Sequence, residues 1–146
     1  MANWLVVVSE DSFNVSQNKG VLGFYGDLRG SNLIHKTKPG DRLVFYITKK
    51  KVVQGLFQIA SEPYFDESSL YGDQRDLSWN QRIRLTVVNS NASAEMGRIA
   101  RDLDFIKSHA CSYGAYLRKT LVEVSDKDLA TVLDAMGIPA ASPLKN

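Results

Sequence analysis

Lys38-Pro39-Gly40-Asp41-Arg42-Leu43-Val44-Phe45-Tyr46-Ile47-Thr48 is the stretch on which the fold turns. Proline followed by glycine suits a type II turn: proline presets φ at the first central position, and glycine accepts the positive φ of the second. β-Branched and aromatic residues then run from Arg42 to Thr48, so a strand starts as soon as the turn ends. Lys49 to Lys51 forms a charged tip, and Val52 to Ala60 returns antiparallel as the second arm of a hairpin. In that arm Val53, Gly55, Phe57 and Ile59 share a face. The interior Gly55 predicts a bulge or sharp bend, by which a small sheet curls into a barrel.

Working outward from the hairpin, Trp4 to Ser9 reads as a first strand and Leu121 to Val124 as a last short one. Arg82 to Val88 alternates, with Ile83, Leu85 and Val87 inward and Arg82, Arg84 and Thr86 outward, so this strand has one wet face. Asp126 to Met136 reads as a helix: Ser125 caps it, Asp128 lies three residues on as in a capping box, and Gly137 closes it. Leu129, Val132, Leu133 and Met136 form its apolar stripe. Shorter helices are expected over Asp27 to Lys36 and around Ala94 to Ala100. These elements define an α+β chain, a small, mostly antiparallel curled β-barrel decorated by short helices. Residues 1–138 form one domain, and residues 139–146, with two prolines and little to bury, form a tail.

Composition agrees with a folded globular chain: 44% of its 146 residues are hydrophobic and 23% charged. The 18 basic and 16 acidic side chains leave +2, too little to imply a polyanionic partner by itself. One cysteine, Cys111, excludes an internal disulfide, and with only His35 and His109 beside it no Cys/His zinc site is expected. A reducing cytoplasm suits such a chain. The apolar run from Trp4 to Val8 is too short for a signal-peptide core or a membrane span.

No catalytic constellation is legible. Asp102 and Asp104 have strand spacing but no neighbouring base or metal ligands, and they read as solvated surface acids. Ser9 and Ser12 lack a Gly-x-Ser-x-Gly elbow, neither histidine has an adjacent partner, and Cys111 reads as a buried inert thiol. A non-enzyme without metal or cofactor is expected. Charge is informative only locally. Lys36 to Lys51 carries six basic residues against one acid, Arg98 to Lys119 five against two, and Glu62 to Asp76 five acids against one arginine. A basic face of this kind can neutralise phosphates, although lysines at a hairpin tip also serve simply to keep it soluble. Two Trp, six Tyr and six Phe exceed what a minimal core needs, and several stand beside cations, as Phe24 and Tyr25 do before Arg29 and Phe105 before Lys107. Such rings stack on unpaired bases while cations hold the backbone.

The segments Asn3-Trp4-Leu5-Val6-Val7, Gly23 to Arg29, Lys38 to Tyr46, Gly55-Leu56-Phe57, Glu62-Pro63-Tyr64-Phe65-Asp66 and Leu103-Asp104-Phe105-Ile106-Lys107 together resemble the EVE domain. That domain belongs to the PUA-like superfamily and is close in fold to the YTH readers of methylated adenosine. The resemblance covers residues 3–133. It implies a PUA-like barrel with a nucleobase pocket and, as partner, DNA or RNA carrying a modified base. Carried over by position, Trp4, Ser9, Phe24, Tyr25 and Phe105 would surround the base, while Arg29, Lys107 and Arg118 would hold the nucleic-acid backbone. Leu22 stands where relatives often carry a tryptophan, and Trp79-Asn80 where many have an aromatic followed by proline. The same pocket could instead take a free nucleoside-like ligand, which would need no basic surround.

Overall fold

Two apolar runs, Trp4 to Val8 and Leu43 to Ile47, are continuous rather than alternating, as expected of strands buried on both faces. In the computed structural model, which describes residues 2–24, 36–66, 68–71, 81–103 and 121–138, they lie side by side. Strand β1 (Asn3–Val8) pairs in parallel with β3 (Arg42–Ile47), in a register from Asn3↔Arg42 to Val8↔Ile47. A parallel pair needs a long crossover, and the connection contains helix α1 (Glu10–Lys19) and strand β2 (Val21–Phe24).

Neither α1 nor β2 was expected, and the first strand ends one residue earlier than its apolar pattern suggests. Ser9 leaves the strand to cap α1, its Oγ accepting the Ser12 backbone N–H at 3.2 Å. Glu10 and Asp11 sit at the positive end of the helix dipole, and Gly20 closes the helix at φ 67°. What binds α1 to the sheet is largely one ring. Phe13 meets Phe45 edge-on at 5.1 Å and Phe57 at 6.3 Å.

The expected hairpin is present. Asp41 N–H donates to the Lys38 carbonyl at 3.0 Å and Gly40 has φ 98°, the turn that the Pro-Gly pair requires. β3 then pairs antiparallel with β4 (Val52–Ile59). At the tip Lys49 (φ 68°) and Lys51 (φ 57°) both adopt left-handed backbone, which costs a non-glycine residue roughly 1–2 kcal/mol. Beyond β4, the short β5 (Tyr64–Phe65) and β4 itself both pair with β6 (Gln81–Glu95). β6 extends well past the expected Arg82 to Val88, because Asn89 to Glu95 stays extended against the start of β4. The helix expected around Ala94 to Ala100 therefore begins only at Met96, as the single turn α2 (Met96–Ile99), followed by a 3-10 turn, Ala100–Asp102. Asp102 lies in that turn rather than on a strand.

β7 (Leu121–Val124) pairs antiparallel with β1, and α3 (Asp126–Ala135) follows, with Ser125 Oγ accepting the Asp128 N–H at 3.1 Å. The helix expected over residues 27–36 falls almost entirely outside the described residues, and the tail at 139–146 wholly so.

The described strands form one mixed sheet in the order β2-β6-β4-β3-β1-β7, with β5 also on β6. The result is an α+β curled half-barrel. Its inner face joins Trp4, Leu22, Phe24, Leu43, Phe45, Phe57 and Ile83 in one cluster, which draws on both β1 and the distant β2. Its outer face packs Leu5, Val44 and Leu56 against α2 and α3 through Met96, Leu129, Val132 and Leu133.

Curling depends on a bulge. Between Gln54↔Ser93 and Leu56↔Asn89 the two strands advance by unequal lengths. Asn89 Oδ1 accepts the N–H groups of Asn91 and Ala92 at 3.0 and 2.9 Å, satisfying the looped-out backbone. Opposite it Gly55 sits at φ 79°, where a Cβ would lie 2.6 Å from Phe57 Cε1 and 3.3 Å from the Asn89 carbonyl. Gly55→Ala is expected to cost about 2–4 kcal/mol, from left-handed strain plus displacement of a core ring. A denaturant titration measures it, and an unchanged midpoint would show that the bulge tolerates a side chain.

Candidate functional site

Asp41 follows the Pro-Gly turn at the entrance to β3, and its side chain is buried, 4% exposed. One carboxylate oxygen accepts the Ala2 N–H at 3.0 Å. The other accepts the Lys38 N–H and the Trp4 indole N–H, each at 3.0 Å. Trp4 is thus placed beneath the inner face, 1% exposed, with its polar edge satisfied.

Phe24 ends β2 at the same end of the sheet. It lies directly across from Gln81, and Gln81 lies across from Phe65 on its other side. Side chains directly opposite in neighbouring strands share a face, so Phe24, Gln81 and Phe65 form one row. Phe24 is 4% exposed and Phe65 63%. Among the described aromatic residues only Phe65 is exposed; the others are buried or half-buried. On the opposite face of β5 the Arg84 guanidinium lies 5.4 Å from the Tyr64 ring centroid, within cation–π range.

A strap formed by residues 66 and 68–71 holds this end in place. Tyr71 Oη accepts the Gly23 N–H at 3.1 Å, and Lys19 Nζ donates to the Leu70 carbonyl at 3.2 Å. The buried Arg82 guanidinium stands 3.5 Å from the Ser68 hydroxyl and 4.0 Å from the Asp66 carboxylate. The Ser68 backbone N–H, then its hydroxyl, and more weakly Arg82 and Arg84 hold the Asp66 carboxyl below its ordinary value.

Of the residues singled out from sequence, Trp4 and Phe24 share the inner-face cluster. Ser9 does not join them. It caps α1 at the level of the β3–β4 tip, whereas Phe24 pairs with the far end of β6. Tyr25, Arg29, Phe105, Lys107 and Arg118 lie outside the described residues. Phe65 and Gln81 were missed as site candidates. Phe65 lies in a segment that carries the family resemblance, but its exposure depends on pairing with β6, which no local pattern reveals. A cleft of about 310 Å³, lined by Val52, Ser93, Glu95, Arg98 and Ile99 among others, opens at the opposite end of β6 and touches none of the described candidates. Among the described residues there is no grouping of three potential metal ligands, and no helix is long and apolar enough to cross a membrane.

The curled sheet with helices on both faces defines a PUA-like α+β domain. The EVE domain family model matches residues 2–135, and the chain belongs to that family. A UPF0310 protein of Pyrococcus abyssi is 25% identical over 137 residues, covering 88% of this chain and 94% of the relative. Another, from Mesorhizobium japonicum, is 27% identical over 157 residues, covering 94% and 93%. The crystal structure of an Agrobacterium tumefaciens protein superposes with a TM-score of 0.66 at 17% identity, over 98% of this chain and 97% of that one. The Mmi1 YTH domain superposes at 0.62 and 14% identity, over 88% and 71%. The same domain in complex with RNA gives 0.56 at 11%, over 88% and 73%.

Removing the Asp41 carboxylate strands the buried indole N–H and two backbone donors. Asp41→Ala is expected to lower stability by about 2–4 kcal/mol, read as a fall in the urea midpoint. A midpoint equal to the parent's would mean that the turn holds without it.

Proposed function

We propose that this protein is a non-catalytic nucleic-acid-binding module that reads a modified base in DNA or RNA. The observation that carries it is membership of the EVE family together with a fold shared with a YTH domain solved with RNA. Trp4, Phe24, Tyr25 and Phe105 are the candidates around the base, and Ser9, whose Oγ caps α1 away from Phe24, is set aside. Arg29, Lys107 and Arg118 are the candidates for the backbone. The row Phe24, Gln81 and Phe65 supports a ring-based site, since it sets the exposed Phe65 ring beside the Gln81 amide, which can pair with a base edge, with the buried Phe24 on the other side. No metal or cofactor enters this reading. A single cysteine suits a reducing compartment, and the cytoplasm is the location this reading proposes.

Stacking chooses a base, whereas phosphate contacts position the strand. The decisive ring is Phe65, because truncating an exposed side chain leaves folding within about 0.5 kcal/mol of the parent. Phe24→Ala would not separate the two effects, since a buried Phe→Ala costs about 3–5 kcal/mol of stability. Phe65→Ala is expected to unfold as the parent does and to lose roughly 1–3 kcal/mol of affinity for oligonucleotides bearing the preferred methylated base, about five- to more than a hundredfold. Fluorescence-anisotropy titrations against methylated and unmodified DNA and RNA oligonucleotides measure it. Failure of the parent to bind any of them, even at low salt, would remove the nucleic-acid reading altogether. A parent that binds methylated and unmodified strands equally would remove the base-reading part alone.

A further inference from the structure

The β3–β4 tip holds two lysines where chain geometry asks for glycine. Lys50 N–H donates to the Thr48 carbonyl at 2.7 Å, two residues back, and the residue enclosed is Lys49 at φ 68°. A two-residue hydrogen bond around a positive φ is the rare, strained form of the γ-turn. Lys51 at φ 57° closes the tip, its N–H donating to the Ile47 carbonyl at 2.9 Å. Asparagine or glycine would relieve both positions.

The three lysines are also used differently. Lys50 Nζ lies 2.7 Å from Glu10 Oε2, which ties the tip to the first turn of α1. Lys49 and Lys51 form no ion pair among the described residues, and both are exposed. The strained residues are thus the two whose ammonium groups remain in solvent, flanking the one that anchors the tip. Solubility alone does not explain this, since lysines on either arm would protect the hairpin without left-handed backbone. Strain retained where a commoner residue would remove it points to a function for the side chain.

We infer that Lys49 and Lys51 form a paired phosphate contact for the sugar–phosphate backbone of the bound nucleic acid, an inference that rests on the nucleic-acid reading above. Two point charges on a short turn anchored through Lys50 and Glu10 suit neighbouring phosphates, which carry no sequence information and need no shaped pocket. The contact adds to affinity without choosing the base.

The test is the double variant Lys49→Gly/Lys51→Gly beside Lys49→Arg/Lys51→Arg, titrated with short fluorescein-labelled oligodeoxythymidylate and oligouridylate from low to physiological salt. The glycine variant is expected to unfold at the parent's denaturant midpoint or above it, while binding several-fold more weakly at low salt. Its slope of log affinity against log salt should shrink by about 1.4, roughly 0.7 for each single-strand phosphate that is no longer neutralised. The arginine variant, which keeps both charges, should retain affinity and slope. Should the parent bind while the glycine variant matches it in affinity and slope, the tip contact is overturned and the nucleic-acid reading survives. A marked fall in the glycine variant's unfolding midpoint would assign the lysines to holding the turn and likewise overturn the inference. A parent that binds neither these nor methylated oligonucleotides removes the underlying reading, and this inference with it; for a parent that binds methylated strands alone, the same comparison on those strands decides.

Discussion

The Asp41 carboxylate joins three pieces of chain that would otherwise be independent: the residue before β1, the first ring of β1, and the turn that launches β3. Each accepted N–H fixes a different degree of freedom. Ala2 sets the register of β1 on β3, reinforced by Arg42 N–H donating to the Ala2 carbonyl at 3.1 Å. Lys38 closes the turn, and Trp4 fixes the rotation of the indole under the sheet. A parallel pair has no hairpin to set its register, so this carboxylate supplies what a tight turn supplies for antiparallel strands. The inner face, with Phe24 and the β6 row at its edge, is built on the β1–β3 pair so aligned.

Much of the fold was legible in the sequence because its signals are local. Pro39-Gly40 marked the turn, Gly55 the bulge, and Ser125 with Asp128 the start of α3, each through a conformational preference acting within a few residues. The parallel pairing of β1 and β3 was not legible, because register between strands separated by more than thirty residues leaves no trace in either run. Helix α1 escaped for a different reason. Its sequence, EDSFNVSQNK, buries only Ser12, Phe13 and Ser16, so it lacks an apolar stripe, and its stability comes from its caps and the packing of one phenylalanine. The reach of β6 to Glu95 escaped because the apolar alternation stops at Val88, and the residues that follow form a bulge inside the strand.

The candidate site was less legible than the fold, since the same residue types serve packing and recognition. Fourteen aromatic residues suggested a surplus for binding. Phe13, Phe45 and Phe57 instead form a mutually edge-on trio inside the sheet, at centroid distances of 4.9 to 6.3 Å. Trp4 and Phe24 are buried beside them. Ser9, a candidate for hydrogen bonding to a base edge, already caps α1 through its Oγ. Phe65 is the described ring that core packing leaves open, and the dipeptide Tyr64-Phe65 looks no different in sequence from any buried strand pair.

The exposed ring and the strained lysines stand at opposite ends of one strand. Phe65 pairs with Gln81 at the start of β6, and the tip is bound to its other end, where Val52 pairs with Glu95 and the Met96 N–H donates to the Lys51 carbonyl at 2.9 Å. Glu95 lies fourteen residues beyond Gln81, at most about 48 Å of extended strand before the bulge and the curl shorten it. One turn of duplex is roughly 34–36 Å long. A mononucleoside could therefore occupy one end only, whereas a strand of several nucleotides could stack at the ring end and place phosphates toward the tip. Length dependence of binding thus separates a nucleic-acid reader from a free-nucleoside binder on this scaffold, because only the former would draw affinity from both ends of β6.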